Sequence, residues 1–277
     1  MSVLSPIVKA SNVLIQVLRT GELVPLGEME AVRPETANTY SNRVLLVAVQ
    51  PSDDTLVDLT ECRFLESHYG DFQGLTAVFK PVSGERLSRK QEFRIATNCY
   101  VREIAASLID RHSGLGIVLP TIIRTLGNET GSLQLHLPAE VADVGFRLTA
   151  WDRMAVKKDA TWKKMALLDR LINNADRRET NYLVTRHNPQ QVVAIDHGYS
   201  FCKVRSGDSN DAVRHFIQQP AGAALDDALA SCLERLLASR EVLLEELPED
   251  IAWMTEMQDY DIFHKAERML TARSLLA

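Results

Sequence analysis

The chain has 277 residues, which is enough for one two-lobed domain or two small ones. Its hydrophobic fraction of 45% and charged fraction of 25% are typical of a soluble globular protein and exclude global disorder. The formal net charge of -6 argues against nucleic acid as a partner, because phosphate backbones require clustered Lys and Arg. Mg²⁺-ATP stays possible, since its metal offsets much of its charge.

The four cysteines are widely scattered and form no CxxC pair, so neither a zinc site nor a redox pair is predicted. No apolar stretch reaches the length of a membrane span. The first 20 residues carry polar interruptions and no cleavage-like segment. These features predict a cytoplasmic protein with free thiols and no transmembrane segment, although an effector exported by another route would show the same features.

The first half of the chain is predicted to be rich in strands. Apolar runs indicate strands at 44–49 and 76–81. Further runs predict strands at 119–124 and 132–137, and Pro138 ends the last of them. This proline marks the predicted boundary between two lobes.

A helix is predicted between the second and third of these strands. Thr97 or Asn98 can cap its start, and Gly114 ends it. Its apolar residues recur at helical spacing: Val101, Ile104, Ala105 and Leu108. Glu103 lies off this stripe, so its side chain is free to take another role.

The second half of the chain is predicted to be mainly helical. Thr161 can cap a helix, short strands follow at 182–184 and 192–195, and the chain beyond them is almost wholly helical in pattern. A strand-rich half followed by a helical half predicts an α+β, two-lobed architecture. Its N-terminal lobe would span 1–137 and its C-terminal lobe 138–277.

Two acidic motifs lie beside the two short strands. Asp176 is followed five residues later by Asn181, and Asp196-His197-Gly198 comes directly after the second strand. Each motif by itself is common turn chemistry. The order helix, loop, strand, turn, strand, Asp-x-Gly, however, places two carboxylates and an amide around a metal pair. The motifs therefore predict phosphoryl transfer, with Asp176 at the acceptor hydroxyl and Asn181 and Asp196 on Mg²⁺.

A lysine ends the strand at 76–81, where a charge is otherwise unexpected. Lys80 could reach ATP phosphates as a point charge, or it could protect an edge strand. Glu103 could orient Lys80 by ion pairing, with Glu92 as a rival, or it could be a solvated helix residue. If the phosphate role holds, Lys80 and Asp196 must face the same cleft.

Several segments resemble the HipA-like and phosphatidylinositol 3-/4-kinase-like branch of atypical kinases. Members often combine an Asp-Arg-x-x-x-Asn loop with an Ile-Asp-x-Gly turn and a following aromatic, as 176–181 and 195–201 do here. The segments 79–86, 102–106 and 131–134 resemble the ATP-lysine strand, the helix after it and the approach to the hinge. The resemblance spans roughly residues 40 to 205 of the chain.

The resemblance implies a kinase fold with ATP and Mg²⁺ as cofactors. It implies nucleotide contacts at Lys80, Glu103, Asn42, Gln134, Leu135 and Leu137, a catalytic role for Asp176, and metal ligands at Asn181 and Asp196. The chain departs from the family in having no evident Gly-rich phosphate loop. It also lacks an activation segment with an Ala-Pro-Glu end, so the acceptor cannot be inherited from the family.

The sequence thus predicts an ATP- and Mg²⁺-dependent kinase that acts on a protein Ser or Thr hydroxyl. A phosphoinositide kinase is an alternative, and its positive clue is a basic run that otherwise reads as a solvated helix face: Lys157, Lys158, Lys163 and Lys164. Nucleotidyl transfer is another enzymatic alternative. A pseudokinase or nucleotide-binding interaction module is the non-enzymatic one. Nothing in the sequence encodes a membrane-bound state or an antitoxin-like partner.

Overall fold

A computed structural model describes residues 11–28, 43–52, 75–85, 98–137, 142–149, 160–186, 191–202, 224–255, 257 and 261–275. Within these residues the chain forms a five-stranded sheet, a three-stranded sheet and seven α-helices. The predicted site residue Asn42, the rival Glu92 and the lysines Lys157 and Lys158 lie outside the described residues.

The five-stranded sheet forms the first half of the molecule. Its strands are β1 (Glu22–Glu28), β2 (Leu45–Gln50), β3 (Leu75–Pro81), β4 (Thr121–Leu126) and β5 (Glu129–Leu135). They are all antiparallel, in the order β1-β2-β3-β5-β4. Alternate residues of β3 fill the core, namely Leu75, Ala77 and Phe79, so Lys80 emerges on the opposite face of the sheet.

Two helices accompany this sheet, α1 (Ser11–Thr20) and α2 (Cys99–Ser113). Helix α1 buries Leu14, Val17 and Leu18, which recur at the spacing of one helix face. Helix α2 ends as predicted at Gly114, whose φ of 70° is left-handed and suits a residue without Cβ.

The start of α2 is stabilised from a distant part of the chain. Asn98 occupies the N-cap position, but its side chain makes no capping hydrogen bond. Instead, the Oε1 atom of Glu85 accepts the backbone N–H of Tyr100 at 3.0 Å. The first N–H groups of a helix have no partner within it, so this carboxylate satisfies one of these donors. Its negative charge also interacts favourably with the positive end of the helix dipole.

The second half combines the three-stranded sheet with five helices among the described residues. The sheet has the order β6 (Ala142–Val144), β7 (Tyr182–Thr185), β8 (Val192–Ala194). The helices are α3 (Ala160–Leu171), α4 (Asp227–Ala238), α5 (Arg240–Glu246), α6 (Glu249–Thr255) and α7 (Ile262–Ala272). In the described part of the chain, no helix is both long and apolar enough to cross a membrane.

The loop between α2 and β4 joins the two halves. The backbone N–H of Ala194 donates to the carbonyl of Ile117 at 2.8 Å, and Val118 forms a parallel bridge with Ala194. The strand that leads to Asp196 is thereby bonded directly to the loop that follows α2. A shift of that loop would therefore be passed on to the Asp-x-Gly turn.

The basic run is half-buried rather than fully solvated where the structure describes it. Lys163 lies 3.7 Å from Asp226, and Lys164 donates to the carbonyl of Leu115 at 2.6 Å. Both side chains are half-buried in contacts within the protein. The sequence pattern could not show this, because both contacts join residues far apart in the chain.

Candidate active site

Lys80 meets two carboxylates that come from different elements. Its Nζ atom donates to Oε1 of Glu103 on α2 and, at 2.9 Å, to Oδ1 of Asp196 after β8. The Lys80 and Glu103 side chains are 16% and 3% exposed, whereas Asp196 is 34% exposed. The three residues therefore form one cluster, in which Asp196 is the member most open to a ligand.

The charges in this cluster stabilise one another against burial. Burial on its own would lower the pKa of Lys80, but the carboxylates of Asp196 and Glu103 outweigh it and raise that pKa. Burial would raise the pKa of Glu103, but the Lys80 ammonium and the hydrogen bond from His197 lower it. Lys80 is therefore an ammonium and Glu103 a carboxylate at neutral pH.

The backbone of His197 holds the Glu103 carboxylate by a hydrogen bond. Its N–H donates to Oε2 of Glu103 at 2.9 Å, while its ring is fully buried and burial lowers the pKa of the imidazole. The imidazole is therefore neutral at pH 7, as expected for a packed residue rather than a cationic ligand.

The Asp-x-Gly turn has its unusual backbone at the acid rather than at the glycine. Asp196 has a left-handed φ of 58°, a conformation that costs a non-glycine residue energy but that Asp tolerates better than most. Gly198 serves close approach instead, because a Cβ there would lie 3.1 Å from the Cβ of Cys99. The turn thus presses against α2, the helix that carries Glu103.

The loop after α3 brings Asp176 and Asn181 together. The Nδ2 atom of Asn181 donates to the carbonyl of Asp176 at 2.5 Å and to its Oδ2 at 3.3 Å. Arg178 donates to the same Oδ2 at 2.6 Å. Beyond β7 and β8, the N–H of Ile195 donates to the carbonyl of Asn181 at 3.2 Å. Asn181 therefore lies beside the residue that precedes Asp196.

A buried ion pair that sequence reasoning missed supports this loop. Nε and Nη2 of Arg177 each donate to a different oxygen of Asp169 at 2.9 Å, the bidentate geometry of strong pairs. Nη1 of Arg177 also donates to the carbonyls of Ile195, at 2.7 Å, and Asn181. Arg177 thus links α3, the Asp176 loop and the approach to Asp196.

One signal for this pair was available in the sequence. Asp169 falls between Met165 and Ile172 at helical spacing, so it places a carboxylate within an apolar stripe. A buried carboxylate requires a partner, and Arg177, which follows Asp176 in the next loop, is a candidate for it. Its partner could be identified only once the path of the loop was known.

The residues predicted to contact the nucleotide lie in different environments. Gln134 pairs with Val78 of β3, two residues before Lys80, and so lies on the Lys80 face of the sheet. Leu135 is fully buried on the opposite face, and Leu137 is buried just beyond β5. The structure therefore places Gln134 on the same face of the sheet as Lys80, with its amide donating to Oγ1 of Thr121 at 2.8 Å, and places Leu135 in the core.

His136 extends the Lys80 face beyond the end of β5. Its N–H donates to the carbonyl of Thr76 at 3.0 Å, and its Nδ1 lies 3.2 Å from Oγ1 of Thr76. Sequence reasoning did not include His136 in the site. Its position two residues after Gln134 in an extended segment was the signal, since alternate residues share a face.

Asp196 and Asn181 supply ligands of the kind that Mg²⁺ prefers. Among the described residues, no group of three His, Cys, Asp or Glu side chains gathers into a metal site of its own. Mg²⁺ in nucleotide enzymes takes one or two protein ligands and completes its shell with phosphates and water. Asn181 Oδ1 accepts one bond, from Thr180 at 2.9 Å, which leaves its second lone pair available. The donor set therefore fits Mg²⁺ with a nucleotide.

The comparisons with known proteins show a structural likeness without a sequence match. No family model and no curated protein matches the chain. The crystal structure of the Golgi casein kinase with Mn/ADP bound is similar, with a TM-score of 0.54 and 15% identity over 96% of this chain and 76% of that one. A second crystal structure of the Golgi casein kinase has a TM-score of 0.52 and 15% sequence identity, over 97% of this chain and 75% of that one.

A Helicobacter pylori proinflammatory kinase, CtkA, is also similar, with a TM-score of 0.44 and 11% identity over 92% of this chain and 94% of that one. Sequence identities of 11–15% support the fold alone. The HipA-like branch and the lobe boundary at residue 138 remain predictions. The likeness to the Golgi casein kinase, together with the two sheets and their helices, confirms the predicted fold class. The chain has an α+β, two-lobed, protein-kinase-like fold.

Proposed function

We propose that the chain is an ATP- and Mg²⁺-dependent phosphotransferase of the HipA-like or phosphatidylinositol 3-/4-kinase-like type, with a protein Ser or Thr hydroxyl as acceptor. The observation that carries the proposal is the contact of Lys80 with both Glu103 and Asp196. A kinase requires a lysine held by a helix glutamate beside a metal-binding aspartate. In a module that only docks partners, nothing would require a half-buried lysine to share a buried and an open carboxylate.

Each site residue has a distinct role in this proposal. Lys80 binds the phosphates of ATP, and Glu103 orients Lys80. Asp196 and Asn181 hold Mg²⁺, which neutralises charge on the phosphates when it is bound. The Golgi casein kinase was crystallised with Mn/ADP, which supports the use of a nucleotide with a divalent metal on this fold.

Asp176 would orient the acceptor hydroxyl. Its carboxylate is fixed by the Asn181 amide and the Arg178 guanidinium, so it can accept a hydrogen bond in a defined direction. A carboxylate of ordinary basicity is sufficient, because a loose phosphoryl-transfer transition state needs little proton removal. Positioning rather than strong base catalysis is therefore the expected contribution.

A protein acceptor is favoured over a lipid by the contacts of the basic run. Lys163 lies 3.7 Å from Asp226 and Lys164 donates to the carbonyl of Leu115, so both lysines already have acceptors within the protein for which a lipid headgroup would have to compete. Liposome binding would contradict this preference.

The test is phosphoryl transfer from γ-labelled ATP with Mg²⁺ and a cell lysate, followed by mass spectrometry of labelled proteins, the chain itself included. Asp196→Ala should lower transfer by about 100-fold or more, as loss of a charge-stabilising group in an active site does. Asp176→Ala should keep ATP binding but lose transfer. Asp227→Ala, at a carboxylate that is 98% exposed, is the matched control and should keep full activity.

Two outcomes would overturn the proposal. Full transfer by a folded Asp196→Ala protein would remove the metal role of Asp196. Label that enters the acceptor from α-labelled instead of γ-labelled ATP would show nucleotidyl transfer. Thermal unfolding of each variant shows whether a loss of activity reflects chemistry or a loss of fold.

A further inference from the structure

The C-terminal helix α7 contacts the start of the loop that carries Asp176. Nζ of Lys265 donates to the carbonyl of Leu171 and to Oδ1 of Asn173, each at 3.0 Å. Lys265 is half-buried, and the two acceptors are more than 90 residues away in sequence. The contact therefore ties a distant helix to the segment just before Asp176.

This segment needs a donor because of the way α3 ends. Asn173 adopts a left-handed φ of 47°, and the N–H of Asn174 donates back to the carbonyl of Asp169 at 3.0 Å, the closure of a Schellman-type helix end. The carbonyl of Leu171 lies in the last turn, where helix carbonyls lack partners within the helix. The Lys265 ammonium satisfies that carbonyl and also restrains the Asn173 side chain at the strained position.

The same segment is held on its other side by the chain that follows Asp196. The carbonyl of Ile172 accepts the N–H of Phe201 at 2.5 Å, and the N–H of Ala175 donates to the carbonyl of Tyr199 at 3.0 Å. The loop entry is therefore clamped between α7 and the segment after the Asp-x-Gly turn. Release of either side would let Asp176 move relative to Asp196.

Helix α7 is a firm support for this contact. Oδ1 of Asp261 accepts the N–H groups of Phe263 and His264, both at 2.9 Å, so the first turn is capped. Phe263 is buried beneath the guanidinium of Arg240, which lies 4.8 Å from its ring. Lys265 thus follows directly on the capped first turn of the helix.

We propose that Lys265 is a positioning residue, which acts through Asn173 and the end of α3 to hold Asp176 in the geometry for transfer. The C-terminal helix is then part of the support of the active site rather than only a cover of the core. The inference rests on the proposed function for its kinetic test, while its structural part can be tested without turnover.

The kinetic test compares Lys265→Met with Lys265→Arg, and uses Arg268→Met as the control. Arg268 is an exposed cation on the same helix, so its replacement changes charge and helix propensity similarly without touching the loop. Lys265→Met should lower kcat by about tenfold to 100-fold with little change in KM for ATP, because Asp176 is misplaced while Lys80 and Asp196 remain. Lys265→Arg should restore much of kcat, since its guanidinium can donate to both acceptors.

A double-mutant cycle with Asn173→Ala checks the proposed route. If Lys265 acts through Asn173, the two substitutions together should lower kcat by clearly less than the product of their separate effects. Fully multiplicative losses would contradict that route. Equal kcat in the Lys265→Met and Arg268→Met proteins would overturn the positioning role.

Amide hydrogen exchange over residues 171–176 provides the readout that needs no turnover. Exchange there should be faster in the Lys265→Met protein than in the Arg268→Met protein, because the loop entry has lost one of its two clamps. Unchanged exchange would overturn the inference. A wild-type protein without transfer activity would instead overturn the proposed function, and the exchange comparison would still decide whether Lys265 fixes the loop.

Discussion

The candidate site contains two ion-pair clusters that differ in exposure. In the first cluster Lys80 and Asp196 are 16% and 34% exposed, although Glu103 is only 3% exposed, whereas the Arg177 and Asp169 side chains of the second are 0% and 2% exposed. The Lys80 cluster joins β3 and α2 to the turn after β8, across the two halves of the molecule. The Arg177 cluster joins parts of the second half only.

This difference separates two tasks. An ammonium that shares an open carboxylate can exchange it for phosphate when a nucleotide binds, because water and ligand both reach the pair. A fully buried bidentate pair cannot exchange partners without leaving a charge unsolvated. We therefore expect substitutions in the Lys80 cluster to affect mainly turnover, and substitutions in the Arg177 cluster to affect mainly stability.

The largest effect on stability is expected for Asp169→Ala. The substitution leaves the buried guanidinium of Arg177 without its carboxylate and removes the acceptor for Asn174, so the free energy of unfolding should fall by about 3–5 kcal/mol. Denaturant unfolding measures it. The exposed pair of Arg273 with Asp227 provides the control, and Asp227→Ala should change stability little. If the unfolding free energy fell equally in the Asp169→Ala and Asp227→Ala proteins, the Arg177 pair would have no greater structural role than an exposed ion pair.

Lys80→Met should have the opposite profile. Transfer should fall by about 100-fold or more, because the charge on the phosphates loses its counter-ion. The loss of unfolding free energy should be smaller than for Asp169→Ala, since Asp196 is open to water and the buried Glu103, although it loses the Lys80 ammonium, keeps its bond from the His197 N–H. Transfer and denaturant unfolding measured on the same preparations decide this. If the Lys80→Met protein were as unstable as the Asp169→Ala protein, the Lys80 cluster would serve mainly to stabilise the fold.

Local patterns predicted much of the fold. Apolar spacing identified β3, α2, β7 and β8, and it placed Lys80 at a strand end and Asp196 after a strand. It missed β1, whose Pro25 and Gly27 argue against a strand in general but are tolerated at the edge of a sheet, where the register shifts between them. It also missed α1, although the spacing of its buried leucines was visible.

Support of the site was harder to predict than its chemistry. The acidic motifs and Lys80 carry charges of recognisable type and order, whereas Lys265 is an ordinary helix residue in sequence and Asp169 shows only as a carboxylate within an apolar stripe. Their roles depend on contacts that only the tertiary path creates. Lys163 and Lys164 show the same limit, since a run of lysines gives no sign of the partners it will meet.

Asp110, a buried carboxyl group outside both clusters, sharpens the comparison. It lies near the end of α2, where its Oδ1 accepts the N–H of Ile117 at 2.9 Å. Burial raises its pKa to about 7, against which backbone hydrogen bonds and the charge of Lys164 act only in part. Unlike the clusters above, this carboxylate is held mainly by backbone donors.

The sign of the pH dependence follows from this shift. Because the pKa of Asp110 is higher in the folded than in the unfolded chain, the folded state binds more protons between about pH 4 and pH 7. The contribution of Asp110 to stability therefore falls as pH rises through that window. In the Asp110→Asn protein the side chain is neutral at every pH and keeps an oxygen for the N–H of Ile117. The unfolding free energy of this variant should therefore decline less than that of the wild type as pH rises from about 4 to 7. Parallel pH profiles in denaturant unfolding would show that Asp110 does not titrate there.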